Sequence, residues 1–470
     1  MKSVSKWLLI LSCFASVVLA AEEQGVFAYP QTPQGRRIAA YFAAFNSMVE
    51  GPMAAFLQEH FSAVALARDS IDQRLARFRG FKEQARTLSP EKLLAETDES
   101  VRLLVREGRG QWSEFIFNFE TGENPKITAI IAAPVNADDI AEMTGPAMSE
   151  AEALSRVRTY LDEVSKADRF SGVVLMAREG RVLLHEARGM ASVEYGVPNR
   201  LDTRFNLGSI NKLFTRVAIG QLVEKGALSL DDKIEKFLPD YPNPEAARQV
   251  TVRQLLDMTS GIGDFFNSKY AETPKDRIRS LEDYLPLFAS EPLLFRPGSS
   301  RRYSNGGYIV LGLIVAKASG MSYFDYVRES ICRPAGMAAT GHLDADVVEA
   351  NVAGGYTWSW DGQDHSGEPR RNNMYSRPAR GSSAGGGYST AADLLQFALA
   401  LRSGKLLGRM LAGEWFTGPQ AYAGGALGIN AELDMDPAPG WTVVVLGNID
   451  PPAANDVARK IGVWLKRLAK

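Results

Sequence analysis

Cysteine is nearly absent from this chain: Cys13 and Cys332 are the only two in 470 residues. Two cysteines cannot build a disulfide framework, so the fold must be held by its core. Histidine is almost as scarce, with four residues. His60, His185, His342 and His365 show no spacing of metal ligands, so no metal and no cofactor is expected, and each reads as a structural, capping or exposed side chain. An excess of one charge is also lacking. Lys and Arg number 53 against 55 Asp and Glu, a formal net charge of −2. That balance gives no reason to expect a nucleic-acid or anionic-membrane partner. Past the N-terminus no run is long and apolar enough to cross a bilayer, so no integral membrane segment is expected there.

What the chain does have is length, more than one hydrophobic core usually serves, which points to two domains. It opens with the pattern of an export signal. Lys2 and Lys6 precede an apolar core at 7–19, too short to span a bilayer comfortably, and Val18-Leu19-Ala20 offers a small-residue cleavage site before Ala21. Residues 1–20 are thus expected to be a signal peptide and the mature protein periplasmic or secreted; an uncleaved anchor is the competing reading.

Residues 21–137 change period partway. Apolar spacing at 36–48 (Ile38, Ala39, Phe42, Phe45) predicts a helix, 52–61 a second one with Pro52 in its first turn, and the charged stretch 68–86 a third. Segments 101–106, 112–120 and 126–135 then predict strands, the middle one with Phe115, Phe117 and Phe119 on a buried face. Helices followed by an antiparallel sheet is an α+β order. It resembles the ketosteroid-isomerase-like cone fold, which hosts enzymes, ligand pockets and dimerisation modules. No titratable pair converges here, which favours an accessory or assembly role such as homodimer formation. Residues 138–149 carry Pro, Gly and acidic residues and read as a linker.

The second domain, 150–470, opens with a helical stretch and two apolar runs, 172–178 and 181–187, joined at Glu179-Gly180 as a hairpin. Then comes Phe205-Asn206-Leu207-Gly208-Ser209-Ile210-Asn211-Lys212, followed by helical apolar spacing that ends near Gly226. Serine and lysine three residues apart share a helix face, and a neutral amine one turn away can take the hydroxyl proton. The pattern Ser-x-x-Lys alone is weak, since Ser3/Lys6 and Ser89/Lys92 match it too. Context separates Ser209, with strand signals before it and a buried-type helix after it. Downstream lies a partner, Tyr303-Ser304-Asn305, ahead of an apolar helix; Tyr241-Pro242-Asn243 sits in a Pro-rich turn instead. A tyrosine beside an ammonium is expected to be drawn below its ordinary pKa of about 10, ready to accept or pass a proton. Asn305 offers an amide for a substrate carbonyl or for the lysine.

Segments 205–215, Leu255-Leu256-Asp257-Met258-Thr259-Ser260-Gly261, 295–313 and Ala384-Gly385-Gly386-Gly387-Tyr388-Ser389-Thr390 together resemble the class C β-lactamase and penicillin-binding-protein superfamily of serine hydrolases. They are most similar to its broad esterase and D-aminopeptidase-like branch, over roughly 170 to the C-terminus. The resemblance implies an α+β domain: an antiparallel sheet made from both ends, flanking helices, a helical subdomain, and a cleft where they meet. It also implies roles. Ser209 would form an acyl-enzyme, Lys212 would be base or proton relay, Tyr303 would transfer protons, and Asn305 would orient substrate. The Ser209 N–H would be half of an oxyanion hole. The partner would be a small ester, peptide or β-lactam-like substrate.

Two departures stand out. Met258 takes the place of a histidine, where a change of packing is expected and no lost base. The third motif, Lys-Thr-Gly or His-x-Gly in relatives, is matched by Tyr422-Ala423-Gly424-Gly425. Tyr422 keeps a hydroxyl donor and lacks the positive charge; Gly425 is the candidate for the second oxyanion N–H. The segment from Leu407 to Tyr422 is short, with Trp415 and Phe416 as a candidate remnant strand. The leading expectation is an exported serine hydrolase acting on an ester or peptide amide. The alternative is a weakened or inactive binding or regulatory protein on the same scaffold.

Overall fold

The computed structural model describes residues 27–47, 49–361, 363–416, 420–436 and 440–468. The segment read as an export signal lies outside the described residues. The chain divides into two compact units at Ile140/Ala141, and the stretch expected to be a linker contains a short helix, Ala137–Met143.

The first unit places helices before a sheet, as its change of period predicts. Pro33–Asn46 begins where the Thr32 side chain accepts the Gly35 N–H and Pro33 occupies the first turn. Gly51–His60, Ala63–Arg68 and Ile71–Ala85 follow. Four strands, Leu88–Glu96, Ser100–Glu107, Trp112–Phe119 and Ile127–Val135, pair antiparallel in chain order. Phe42, Phe45, Phe56, Phe115 and Phe117 are buried together, each ring contributing roughly 1.5–3 kcal/mol relative to exposure. The first strand was not among the expected ones. It is an edge strand with irregular register at Pro90/Lys92 and Leu93/Ala95. Its partly solvated, proline-containing sequence therefore lacks the alternation that marks an inner strand. His60 ends its helix with Nδ1 2.9 Å from Arg37 Nη1.

In the second unit a five-stranded antiparallel sheet runs in the order Gln420–Ala426, Ile429–Asp436, Trp441–Gly447, Gly172–Arg178, Arg181–Arg188. Both ends of the unit build it, because Trp441–Gly447 pairs with Gly172–Arg178 along its length. Val173, Leu175, Ala431, Leu433, Val444 and Leu446 point into the main core. Lys212–Glu224, Ala391–Arg402 and Asn305–Ser319 contribute to that same core from the helical side. The last of these helices is buried from Asn305 through Val315, so its residues can be placed to within a side-chain rotamer by packing. Gly226 follows the Lys212–Glu224 helix at φ 67°, in the left-handed region expected of a helix stop. Trp415 and Phe416 are not a remnant strand. Arg409–Trp415 is a helix, and Leu411, Ala412, Trp415 and Phe416 pack on the core at helical spacing. Among the described residues no single helix is long and apolar enough to cross a membrane.

On the strand Ile429–Asp436, alternate residues Glu432 and Asp434 point away from the main core. Burial and the neighbouring Glu432 carboxylate hold Asp434 well above the usual carboxylate range. The native state therefore keeps a proton that the unfolded chain releases, and stability falls as pH rises from mildly acidic to mildly alkaline values. Asp434→Asn should flatten that fall. Melting temperatures measured from pH 6 to 9 would check it: wild type should lose ground steadily and the variant should not.

Candidate active site

Ser209 sits where a strand becomes a helix. Phe205–Asn206 pairs with Tyr388–Ser389, the chain tightens into the 3-10 turn Gly208–Asn211, and the helix Lys212–Glu224 continues directly from it. Ser209 thus lies in the first turn of a continuous helical stretch, where unpaired backbone N–H groups carry the positive end of the dipole. The three-residue spacing brings Lys212 to the same side, with its Nζ 3.1 Å from Ser209 Oγ, within hydrogen-bond distance. Lys212 is only 8% exposed. Its Nζ also donates to Asn305 Oδ1 at 2.7 Å and to the carbonyl of Ala384.

Tyr303 reaches the same point from the helical side, with its hydroxyl 2.7 Å from Ser209 Oγ. Lys212 Nζ lies 4.8 Å from the Tyr303 ring centroid and 5.5 Å from that of Tyr308. Met258, where the family resemblance led to the expectation of a histidine, holds a left-handed backbone at φ 60°. Its carbonyl accepts the Arg302 N–H at 2.9 Å. The position anchors the loop entering Tyr303 through its backbone, which any side chain able to take that conformation can supply.

Burial lowers the Lys212 pKa from its ordinary value to about 7, against an opposing pull from the Asp264 carboxylate. The amine is therefore substantially neutral near physiological pH, as a proton acceptor must be. Tyr303 behaves contrary to the expectation from its lysine neighbour. Desolvation pushes its pKa up, more than the Ser209 hydrogen bond pulls it down. The phenol is a neutral hydroxyl able to donate or relay a proton, and of the pair the amine is the group able to accept one.

The strand Gln420–Ala426 brings the third motif against this turn, backbone to backbone. Gly208 has φ 49°, and a methyl group there would stand 2.8 Å from the Gly425 nitrogen. A methyl on Gly424 would stand 2.0 Å from the Leu207 carbonyl oxygen and 3.0 Å from the Ser209 nitrogen. Glycine is required at both positions, and their contact puts the Ser209 and Gly425 backbones side by side. Tyr422 is on this strand, but its hydroxyl donates to Gln420 Oε1 at 2.8 Å. Its ring packs against the core, and burial raises its pKa to about 12. It supplies no cation.

Ser209, Lys212, Tyr303, Asn305 and Gly425 thus converge, while Tyr422 lies to the side with its donor already used. Sequence reasoning did not single out Asp264 or the Ala384 carbonyl. Asp264 Oδ2 accepts the Asn305 backbone N–H at 3.2 Å and its Nδ2 at 2.8 Å. The available signal was a lone carboxylate in the apolar, glycine-containing run Gly261-Ile262-Gly263-Asp264-Phe265-Phe266. The Ala384 carbonyl carries no side-chain signal at all.

Comparison with known proteins gives three kinds of match. The family model described as Beta-lactamase matches residues 157–442. Among curated relatives, Penicillin-binding protein 4* of Bacillus subtilis (strain 168) is 36% identical over 186 residues, covering 39% of this chain and 40% of its own length. Esterase EstB of Burkholderia gladioli is 32% identical over 218 residues, 43% of this chain and 55% of its own. The chain therefore spans about half the length or less of these two relatives. Among solved structures, the penicillin binding protein from Bacillus halodurans superposes with TM-score 0.59 at 31% identity, covering 64% of this chain and 98% of that one. D-amino acid amidase from Ochrobactrum anthropi SV3, at 22% identity, shares the fold with TM-score 0.58.

Two outcomes follow from the geometry. Labelling of Ser209 by a fluorophosphonate should accelerate as pH rises through about 7, because Lys212 must lose its proton to act; a rate flat from pH 6 to 8 would exclude the amine as the base. Gly424→Ala should push the strand off the serine turn and slow labelling on the order of 100-fold, whereas Ala423→Ser, whose side chain points to the opposite face of the strand, should leave it near wild type.

Proposed function

Since the chain belongs to the beta-lactamase family, we propose that it is an exported serine hydrolase that opens an ester or peptide-amide bond through an acyl-enzyme on Ser209. The observation that carries this is the buried Lys212 amine in hydrogen-bond contact with Ser209 Oγ. In the reading offered, Ser209 Oγ attacks the carbonyl carbon and its proton passes to the neutral amine. The oxyanion is received by the N–H of Ser209, at the start of the helical stretch, and by that of Gly425 on the facing strand. Collapse of the tetrahedral intermediate expels the alcohol or amine, which takes the proton back from Lys212 by way of the Tyr303 hydroxyl. Water then attacks the acyl carbon with the same groups in reverse.

Tyr422 bears on the substrate. With a phenol committed to Gln420 where relatives place a cation, a carboxylate next to the scissile bond finds no partner on this strand. A charge-assisted hydrogen bond is worth about 1.5–3 kcal/mol, or roughly ten- to a hundredfold in rate. Small esters and amides without such a carboxylate are the favoured class. The same observation supports the second reading, a binding protein on a weakened hydrolase scaffold, in which the third motif no longer supports turnover.

Purified protein should turn over p-nitrophenyl butyrate, and Ser209→Ala should abolish this. Its kcat/KM for the ester should exceed that for benzylpenicillin by at least about tenfold. A wild-type protein that neither turns over the ester nor takes up a fluorophosphonate at Ser209 would leave the binding-protein reading. Export is tested separately: the secreted or periplasmic protein should begin at Ala21.

A further inference from the structure

Asp264 stands one residue removed from the reacting atoms, at the N-terminus of the helix Asn305–Ser319. Ser304 caps that helix by accepting the Gly307 N–H and donates its own hydroxyl to the Gly263 carbonyl at 3.0 Å. The Asp264 carboxylate is held on both sides. Its Oδ1 accepts the Phe266 N–H at 3.0 Å, and its Oδ2 accepts two donors from Asn305. A plain reading would make Asp264 a helix-terminal carboxylate favoured by the dipole.

The hydrogen bonds go further than capping. A carboxamide has one accepting and one donating end, and its orientation is decided by its partners. An ionised carboxylate only accepts, so Asp264 admits Nδ2 and turns Oδ1 toward Lys212. A neutral amine has two N–H groups and one lone pair. Asn305 Oδ1 and the Ala384 carbonyl are acceptors without a proton to give, so they take the two N–H groups. That leaves the lone pair for Ser209 Oγ, which lies 3.1 Å away and is the partner that carries a proton. Were the Asn305 carboxamide reversed, its N–H would compete with the serine for the lone pair.

Building on the reading of Lys212 as the base, we infer that Asp264 is a positioning residue that aims the Lys212 lone pair at Ser209 by fixing the orientation of the Asn305 carboxamide. The charge of Asp264 adds to this, because it opposes the effect of burial on Lys212. The other groups around the amine are the phenols of Tyr303 and Tyr308. Arg216, one turn along the Lys212 helix, is stacked over Trp415 at 5.0 Å.

Two substitutions separate the acceptor from the charge. Asp264→Asn keeps an oxygen for Asn305 and removes the charge. Fluorophosphonate labelling of this variant should reach a near wild-type limiting rate, with its acid limb moved down by about one pH unit. Asp264→Ala frees the carboxamide and should lower the limiting rate on the order of 100-fold. Asn305→Ala should be slowed similarly, and the double variant should be no slower than Asn305→Ala alone, since Asp264 acts through Asn305. The Lys212 midpoint is read directly by 13C NMR of ε-labelled lysine, the resonance being identified by its loss in Lys212→Arg. A capping role alone would lower the melting temperature and leave that midpoint and the labelling profile unmoved; that result, or effects that multiply in the double variant, overturns the inference. If wild type is never labelled, the hydrolase reading fails. The Asn305 side-chain amide, followed by 15N NMR and identified by its loss in Asn305→Ala, then still decides this one: a shift in Asp264→Ala, from loss of the Nδ2 contact, supports it, and an unmoved amide there refutes it.

Discussion

Burial of one amine is the constraint around which the second unit is built. Moving the Lys212 pKa from 10.5 to about 7 corresponds to on the order of 5 kcal/mol against the charged form. The fold must therefore supply enclosure and polar partners together, since enclosure alone would leave the group unsatisfied. Its hydrogen-bond partners come from three stretches: Ser209 in its own turn, Asn305 on the central helix, and the carbonyl of Ala384. The last of these is a loop fixed by side chains of the Lys212 helix. Asn211 donates to the Ser382 carbonyl at 2.8 Å and Thr215 to that of Ser383 at 2.7 Å, while the Ser383 hydroxyl donates to the Tyr308 carbonyl. A single polar network thus ties the Ser209 turn, the central helix and the glycine-rich loop to one another.

The other requirement is that two backbones touch. Ser209 lies early in the unit and Gly425 late in it. They meet only because the sheet is assembled from both ends, with Trp441–Gly447 paired to Gly172–Arg178. At the meeting point any side chain would separate them, and the glycines at 208 and 424 remove the obstruction. Where charge develops during acyl transfer, fixed N–H groups in a dry setting act without rearrangement. The glycines are in this sense as much part of the site as the hydroxyl.

Much of this was legible in the residues. Ser209-x-x-Lys212 separates from its two look-alikes because an apolar helix follows it, and Tyr303-Ser304-Asn305 from its look-alike because Asn305 opens a helix buried on nearly every side. What escaped had no local pattern. The Ala384 carbonyl is a backbone atom, and Asp264 acts across 41 residues of sequence. The edge strand Leu88–Glu96 is interrupted in register, so its alternation is broken. Trp415 and Phe416 look like strand residues in isolation, and only the spacing that includes Leu411 and Ala412 shows the helix. The direction of the Tyr303 shift also needed the fold. Proximity to lysine argued for a lower pKa, but the same burial that neutralises the amine removes much of its pull on the phenol and desolvates the phenol directly.

That reasoning also bears on the substitution at the third motif. The strand Gln420–Ala426 carries Tyr422 where the family resemblance led to the expectation of a cation, yet the region holds one. Arg216, on the helix one turn beyond Lys212, lies over the rings of Trp415 and Phe416 at 5.0 and 6.0 Å. It is near enough to Tyr422 to favour its phenolate, although burial dominates. A lysine at 422 would then be enclosed beside a guanidinium already present, and like charges in a desolvated space repel strongly. The phenol adds no second charge: it packs on the core and donates to Gln420. Around Tyr422 the positive charge therefore sits on the helix that carries Arg216, over the rings of Trp415 and Phe416, and not on the strand. Because that guanidinium lies over the rings of Trp415 and Phe416, its charge is engaged in the packing of the Arg409–Trp415 helix.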